Sequence, residues 1–290
     1  MKVFNKNKNR FKWILFIAIT VCLSIIFIFL CNPNASSKIT NIFANTIFIS
    51  KNIPINNNKT SFNESNIYAN YPNITDQEFA NFIKYDEFSI KKDTLYTSSS
   101  PINPCSERSN IADKYIKDNN IHHIINLEEN ESNTDNLLNQ TYTSEQDIIY
   151  APLDEDMHSE KAKQSIKIIF EYIASNNGPF LFFCNNGASK CSKIISILQM
   201  LNTSNYDYIK VAYYKQYFNL VYKNRNNLYD KYSLENLLDE NLKIELSNIL
   251  NINQKSIIYS NLTKYNMFFL ENECDISPET INNVAEKVGA

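Results

Sequence analysis

The chain has 290 residues, enough for one domain with appendages or at most two small domains. With 43% hydrophobic and 20% charged residues it can bury a sizeable core. A net charge of −3, with no long basic run beyond the first dozen residues, gives nucleic-acid binding no electrostatic support. The six cysteines form no CxxC pair and no metal-ligand rhythm, which argues against a zinc site, and they are too sparse for a disulfide scaffold.

Asn, Ile, Lys and Tyr are abundant, whereas Gly occurs three times and Arg appears only as Arg10, Arg108 and Arg225. This skew looks like mutational drift in an AT-rich genome. Each surviving Gly and Arg therefore carries more information than usual, and each Lys or Asn less.

Residues 1–12 carry Lys2, Lys6, Lys8, Arg10 and Lys12 and read as a cytoplasmic basic tail. Trp13 to Cys31 follow without a charge, and ~20 apolar residues suffice to span the hydrocarbon layer of a bilayer. The run is read as a transmembrane signal anchor that places the rest of the chain outside the cytoplasm. A cleaved signal peptide with Ala35 near the cut, leaving a secreted protein, is the alternative. Lipid attachment at Cys31 is disfavoured by the bulky Ile28, Phe29 and Leu30. Residues 32–78 are rich in Asn, Ser and Thr and read as a flexible stalk.

From about residue 79 the chain becomes periodic. Thr94–Thr97 suggests a strand, followed by a helix with Ser109 as its N-cap. Ile121–Leu127 is a β-rich run ending in Glu128 and Glu129, and Ile148–Leu153 is another. Ser159–Ala174 has helical apolar spacing, Phe180–Phe183 is a fully apolar strand, and Ser192–Leu201 is again helical. The remainder reads as helices over Tyr206–Val221, Leu234–Leu250 and Pro278–Lys287. The expected fold class is α/β, a mainly parallel sheet flanked by helices with a C-terminal helical extension, over residues 79–290.

In such sheets the ligand site lies beyond the carboxyl ends of the strands, which is where Cys184 falls. The segment runs strand, then Cys184-Asn185-Asn186-Gly187-Ala188-Ser189-Lys190, then helix. A loop of this shape turns successive N–H groups inward, and the helix N-terminus adds partial positive charge. A cysteine at its start should have a lowered thiol pKa and act as a nucleophile beneath a bound phosphate.

Cys184, five residues and then a basic residue, with Gly187 third after the cysteine, resembles the His-Cys-x5-Arg-Ser/Thr loop of the cysteine-dependent tyrosine and dual-specificity phosphatases. The stretch LYTSSSP at 95–101, Asn103-Pro104, Arg108 and IADKYIKDNNIHHIINLEEN are similar to the N-terminal half of bacterial members. The resemblance covers roughly residues 90 to 225 and implies a tyrosine-phosphatase-like fold. It implies Cys184 as nucleophile, residues Asn185 to Lys190 as the phosphate cradle, and Asp154 or Asp156 as general acid. Neither metal nor organic cofactor is implied, and the partner would be a phosphorylated protein or a small phosphate monoester.

Three departures bear on activity. Phe183 stands where the family has His, Lys190 where it has Arg, and Cys191 where it has Ser or Thr. Thr97 also replaces the family's basic position in LY-x-SS. An Arg fork grips two phosphoryl oxygens whereas Lys offers a point charge, and losing such transition-state bonds costs ~10²–10³ in rate. Impaired phosphatase activity is the expectation, and a catalytically dead pseudophosphatase that binds anionic partners is the alternative. Cys191 reads as a small residue opening a helix, with a reversible disulfide to Cys184 as the sharper option. His122 and His123 read as ordinary strand packing.

Overall fold

The computed structural model of the protein describes residues 74–86, 89–102, 107–128, 147–221 and 231–289. The basic tail, the 13–31 apolar run, nearly all of the 32–78 segment and Asn103-Pro104 lie outside the described residues. Among the described residues no helix is long and apolar enough to cross a membrane.

Five strands form one mixed sheet: β1 (Ile83–Tyr85), β2 (Leu95–Ser99), β3 (His123–Asn126), β4 (Asp147–Tyr150) and β5 (Phe180–Cys184), in the spatial order β1-β2-β5-β3-β4. All neighbours are parallel except the β1–β2 pair. The expected α/β class with a mainly parallel sheet is thus observed, with an antiparallel edge strand, β1, that the periodicity did not announce.

β5 lies at the centre of the sheet and is buried throughout, which explains its unbroken apolar reading. Successive side chains alternate between faces. Leu181 and Phe183 join Phe82, Tyr96, Ile116, Ile121 and Ile124 in one apolar cluster, beneath helix α2 (Glu107–Asp118). Cys184 therefore points to the opposite face from Phe183. Phe183 itself is a fully buried core residue.

The fold begins before residue 79. Helix α1 (Asp76–Phe79) is closed by a capping box in which Thr75 accepts from the Glu78 N–H and the Glu78 carboxylate accepts from the Thr75 N–H. Helix α2 also begins earlier than expected. Ser109 is not its N-cap but lies inside it, donating its hydroxyl to the Ser100 carbonyl at 2.8 Å. Arg108 places its guanidinium over the Phe79 ring at 4.6 Å, a packing role.

Helices α3 (Glu160–Ser175) and α4 (Ser189–Met200) follow, and then α5 (Tyr206–Val221), α6 (Lys231–Leu250), α7 (Leu262–Asn272) and α8 (Pro278–Val288). Helix α7 and the 3-10 turn Gln254–Tyr259 were not foreseen. The C-terminal helices belong to the same packed body as the sheet. Lys287 Nζ on α8 donates to the carbonyls of Ile173, Ala174 and Asn176, placing a cation on the open end of α3. The Lys91 N–H also donates to the Val288 carbonyl at 2.8 Å, tying the end of α8 to the segment before β2.

Candidate active site

Beyond the ladder, one row of hydrogen bonds sets the strand ends in register. The Leu127 N–H donates to the Phe183 carbonyl, and the Leu153 N–H donates to the Leu127 carbonyl, both at 3.1 Å. The next residue on each chain is Cys184, Glu128 and Asp154. Adjacent strands lie about 4.8 Å apart, so the backbones at Cys184 and Asp154 stand roughly two spacings apart with Glu128 between them.

The cysteine loop needs its glycine. Gly187 adopts φ +71, and a Cβ there would come within 2.6 Å of the Ser98 carbonyl carbon and the Ser99 nitrogen. The loop rests directly on the backbone of β2, so no side chain fits. From beneath, fully buried Asn81 donates its Nδ2 to the carbonyls of Asn186 (3.1 Å), Gly187 (3.1 Å) and Gln216 (3.2 Å). The N–H of a peptide unit points opposite to its C=O. Holding the Asn186 and Gly187 carbonyls towards Asn81 therefore turns the N–H groups of Gly187 and Ala188 away from it.

Helix α4 opens on Ala188 without a side-chain cap, leaving its first N–H groups to seek other acceptors. The Cys184 sulfur is one of them. Burial pushes its thiol up. The Cys191 S–H and the backbone N–H groups of Cys191 and Lys190 act the other way and prevail, so the thiol lies below its ordinary range. Cys191 itself is pushed well up, by burial first and then by Cys184. It stays a thiol and donates to Cys184 Sγ at 3.4 Å.

The same loop is closed on itself. Cys184 is 0% exposed. Asn186 Oδ1 accepts from the Ala188 N–H at 3.0 Å and lies 3.7 Å from Cys184 Sγ. The Gly187 N–H donates to the Cys184 carbonyl at 3.2 Å. Glu128 takes the Asn185 N–H on Oε1 and Lys190 Nζ on Oε2. Three expected cradle amides, those of Asn185, Gly187 and Ala188, thus have acceptors within the protein. Ser189 gives its carbonyl to the Ser192 hydroxyl at 2.9 Å.

Asp154 is half-buried and Asp156 is exposed. Asp154 Oδ1 accepts from the Glu155 N–H at 2.9 Å, and Asp156 Oδ1 from the His158 N–H at 3.0 Å. Lys193 fastens this loop to α4, donating to the Glu155 carbonyl at 3.0 Å and to its carboxylate at 2.8 Å. Behind Lys193, the Glu245 side chain is half-buried. Burial raises it to about 7, against the pull of Lys193 and of the Ser192 hydroxyl. His123 is a packing residue, with Nδ1 2.8 Å from Tyr172 Oη and its ring 5.4 Å from that of Phe180.

Reading the residues alone missed Glu128, Asn81 and Lys193. Glu128 did carry a signal, since it follows a β-rich run at the carboxyl end where ligands gather. Asn81 and Lys193 carried none in a chain crowded with Asn and Lys. Neither a protein-family model nor a curated protein matches this chain, so the functional reading rests on the loop geometry and on the resemblance of its motifs.

Proposed function

We propose that the chain is a membrane-anchored hydrolase of phosphate monoesters that works through a cysteinyl-phosphate intermediate, with slow turnover. The observation that carries this reading is the place of Cys184, at the carboxyl end of β5 and beside the uncapped start of α4, with Cys191 Sγ 3.4 Å away; these neighbours also draw its thiol below its ordinary range. An inert core cysteine would be pushed up instead.

Cys184 attacks phosphorus, the ester P–O bond breaks, and Asp154 gives its proton to the departing oxygen. Water then attacks the phosphocysteine and the P–S bond breaks. The Asp154 carboxylate takes the proton from water, leaving an alcohol and inorganic phosphate. Asp154 suits this role better than Asp156 because it directly follows Leu153 in the strand-end row. Cys191 supplies the hydrogen bond that steadies the departing sulfur. Lys190 offers charge to the phosphoryl oxygens only after loosening from Glu128, and Asn186 must swing aside, so turnover is slow.

The test is hydrolysis of an aryl phosphate by the full chain in detergent. Activity lost in Cys184→Ser supports the reading, whereas equal inactivity of wild type and variant across aryl and alkyl phosphates sinks it. Lys190→Arg should raise turnover by about 10²-fold if the planar fork is what is missing.

A second reading is a pseudophosphatase that binds phosphorylated or anionic partners. It is favoured by the full burial of Cys184, which keeps the sulfur from a substrate, and it requires the Asn185 and Ala188 amides to leave Glu128 and Asn186 before an anion can take their place. Calorimetric binding of orthovanadate without any turnover would select it. The anchor reading rests on the 13–31 run and the basic cluster before it. Protease accessibility of the folded part in intact cells tests its extracytoplasmic placement.

A further inference from the structure

The loop carrying Asp154 and Asp156 is also held by a residue that the reaction scheme does not use. His158 sits between the ends of two C-terminal helices. Its Nδ1 is 2.5 Å from Glu273 Oε2, and its Nε2 is 2.7 Å from the Asn248 carbonyl oxygen. Both partners only accept. A neutral imidazole has one N–H and satisfies one of them. In the neutral ring one nitrogen keeps the proton and the other turns a lone pair towards an oxygen that cannot donate to it. Only the doubly protonated ring makes both bonds.

The setting suits a cation. Asn248 lies in the last turn of α6, where carbonyls lack partners in their own helix and the macrodipole is negative. Glu273 closes α7, whose Phe269 ring stands edge-on to the imidazole at 5.5 Å. Three other titratable groups face this cluster. Asp156 accepts the His158 backbone N–H. Lys163 on α3 feels Glu273 while bonding to Glu160. The largely buried Cys274 thiol beside Glu273 is pushed up to about 12 by burial.

We propose that His158 is a proton-dependent clamp that docks the 154–158 loop onto the C-terminal helices, holding both the Glu273 and the Asn248 arm when the imidazole carries two protons and releasing one of them when it carries one. The sign follows from the bound proton: the clamp is tight at low pH and loosens as pH rises. That the loop delivers an acid rests on the proposed hydrolase chemistry; the clamp does not.

The test is hydrogen exchange of the 153–158 amides in the full chain, corrected for the intrinsic rate at each pH. Between about pH 5.5 and about pH 8.5, protection in wild type should fall roughly tenfold with the loss of one charge-assisted bond. In Glu273→Gln the slope should vanish, because the amide can accept from a protonated ring or donate to a neutral one. His158→Ala should show low protection at every pH. A flat wild-type profile, or a Glu273→Gln profile that keeps the wild-type slope, overturns the clamp. A chain that hydrolyses nothing yet shows the predicted slopes retains the clamp and loses the hydrolase.

Discussion

Glu128 holds Lys190 in an ion pair 2.8 Å long at the carboxyl end of the sheet, with side chains only 23% and 12% exposed. The same carboxylate takes the Asn185 N–H at 2.8 Å, so one side chain bridges the first and last residues of the cysteine loop. Its negative charge also opposes ionisation of Cys184. Glu128→Gln should therefore shift the Cys184 thiolate titration to lower pH, read from ultraviolet thiolate absorbance against Cys184→Ser as blank. An unchanged or higher midpoint contradicts this electrostatic role. Removing the partner of a largely desolvated cation should also cost about 1.5–3 kcal/mol of stability.

Cys191 is the second handle on the same thiol. Its S–H donates to Cys184 Sγ, where a hydroxyl could do the same. Cys191→Ala should raise the Cys184 titration midpoint, and Cys191→Ser should leave it close to wild type. If both variants titrate alike, the S–H bond contributes nothing.

Glu245 makes stability depend on pH. Its folded-state value of about 7 lies above the ordinary 4.5 because of burial. Between those values the folded state binds more protons than the unfolded state, so stability falls as pH rises. A tenfold difference in proton affinity corresponds to about 1.4 kcal/mol, so the swing should reach roughly 3 kcal/mol. Carboxylates held below their ordinary range, such as Asp239, act with the opposite sign and only under more acidic conditions. Urea unfolding of wild type and Glu245→Gln from about pH 5 to about pH 7.5 isolates this contribution. Parallel curves would refute it.

Asn81 braces the loop from below at φ 48, a conformation that Asn tolerates better than most residues. Asn81→Asp keeps the shape, but its ionised side chain cannot donate, leaving a carboxylate against three carbonyl oxygens. The expected cost is at least about 3 kcal/mol by chemical denaturation. A loss below about 0.5 kcal/mol, within the range of ordinary surface changes, would show that the loop holds itself.

Much of the fold was legible in the residues because burial writes its period locally. The unbroken Phe180–Phe183 run announced the central strand, and the spacing of Ala162, Ile166, Ile169, Phe170 and Ile173 announced α3, closed by Ser159 as N-cap. β1 escaped because three residues at a sheet edge show no usable alternation, and α7 escaped because its apolar residues leave Tyr265 and Phe268 exposed. Ser109 misled because a serine near a helix start fits either a cap or an internal hydrogen bond.

Cys184, its loop and the acidic loop after β4 follow from chain order, since a strand, a glycine turn and a helix place them at the sheet's carboxyl edge whatever the partners. What occupies that edge was decided by folding alone. Glu128 meets Lys190 across 62 positions, Asn81 meets Gly187 across 106, and His158 meets Glu273 across 115. Such pairings leave no periodic trace, because a hydrogen bond needs two atoms within about 3 Å and only the packed sheet and helices bring them there.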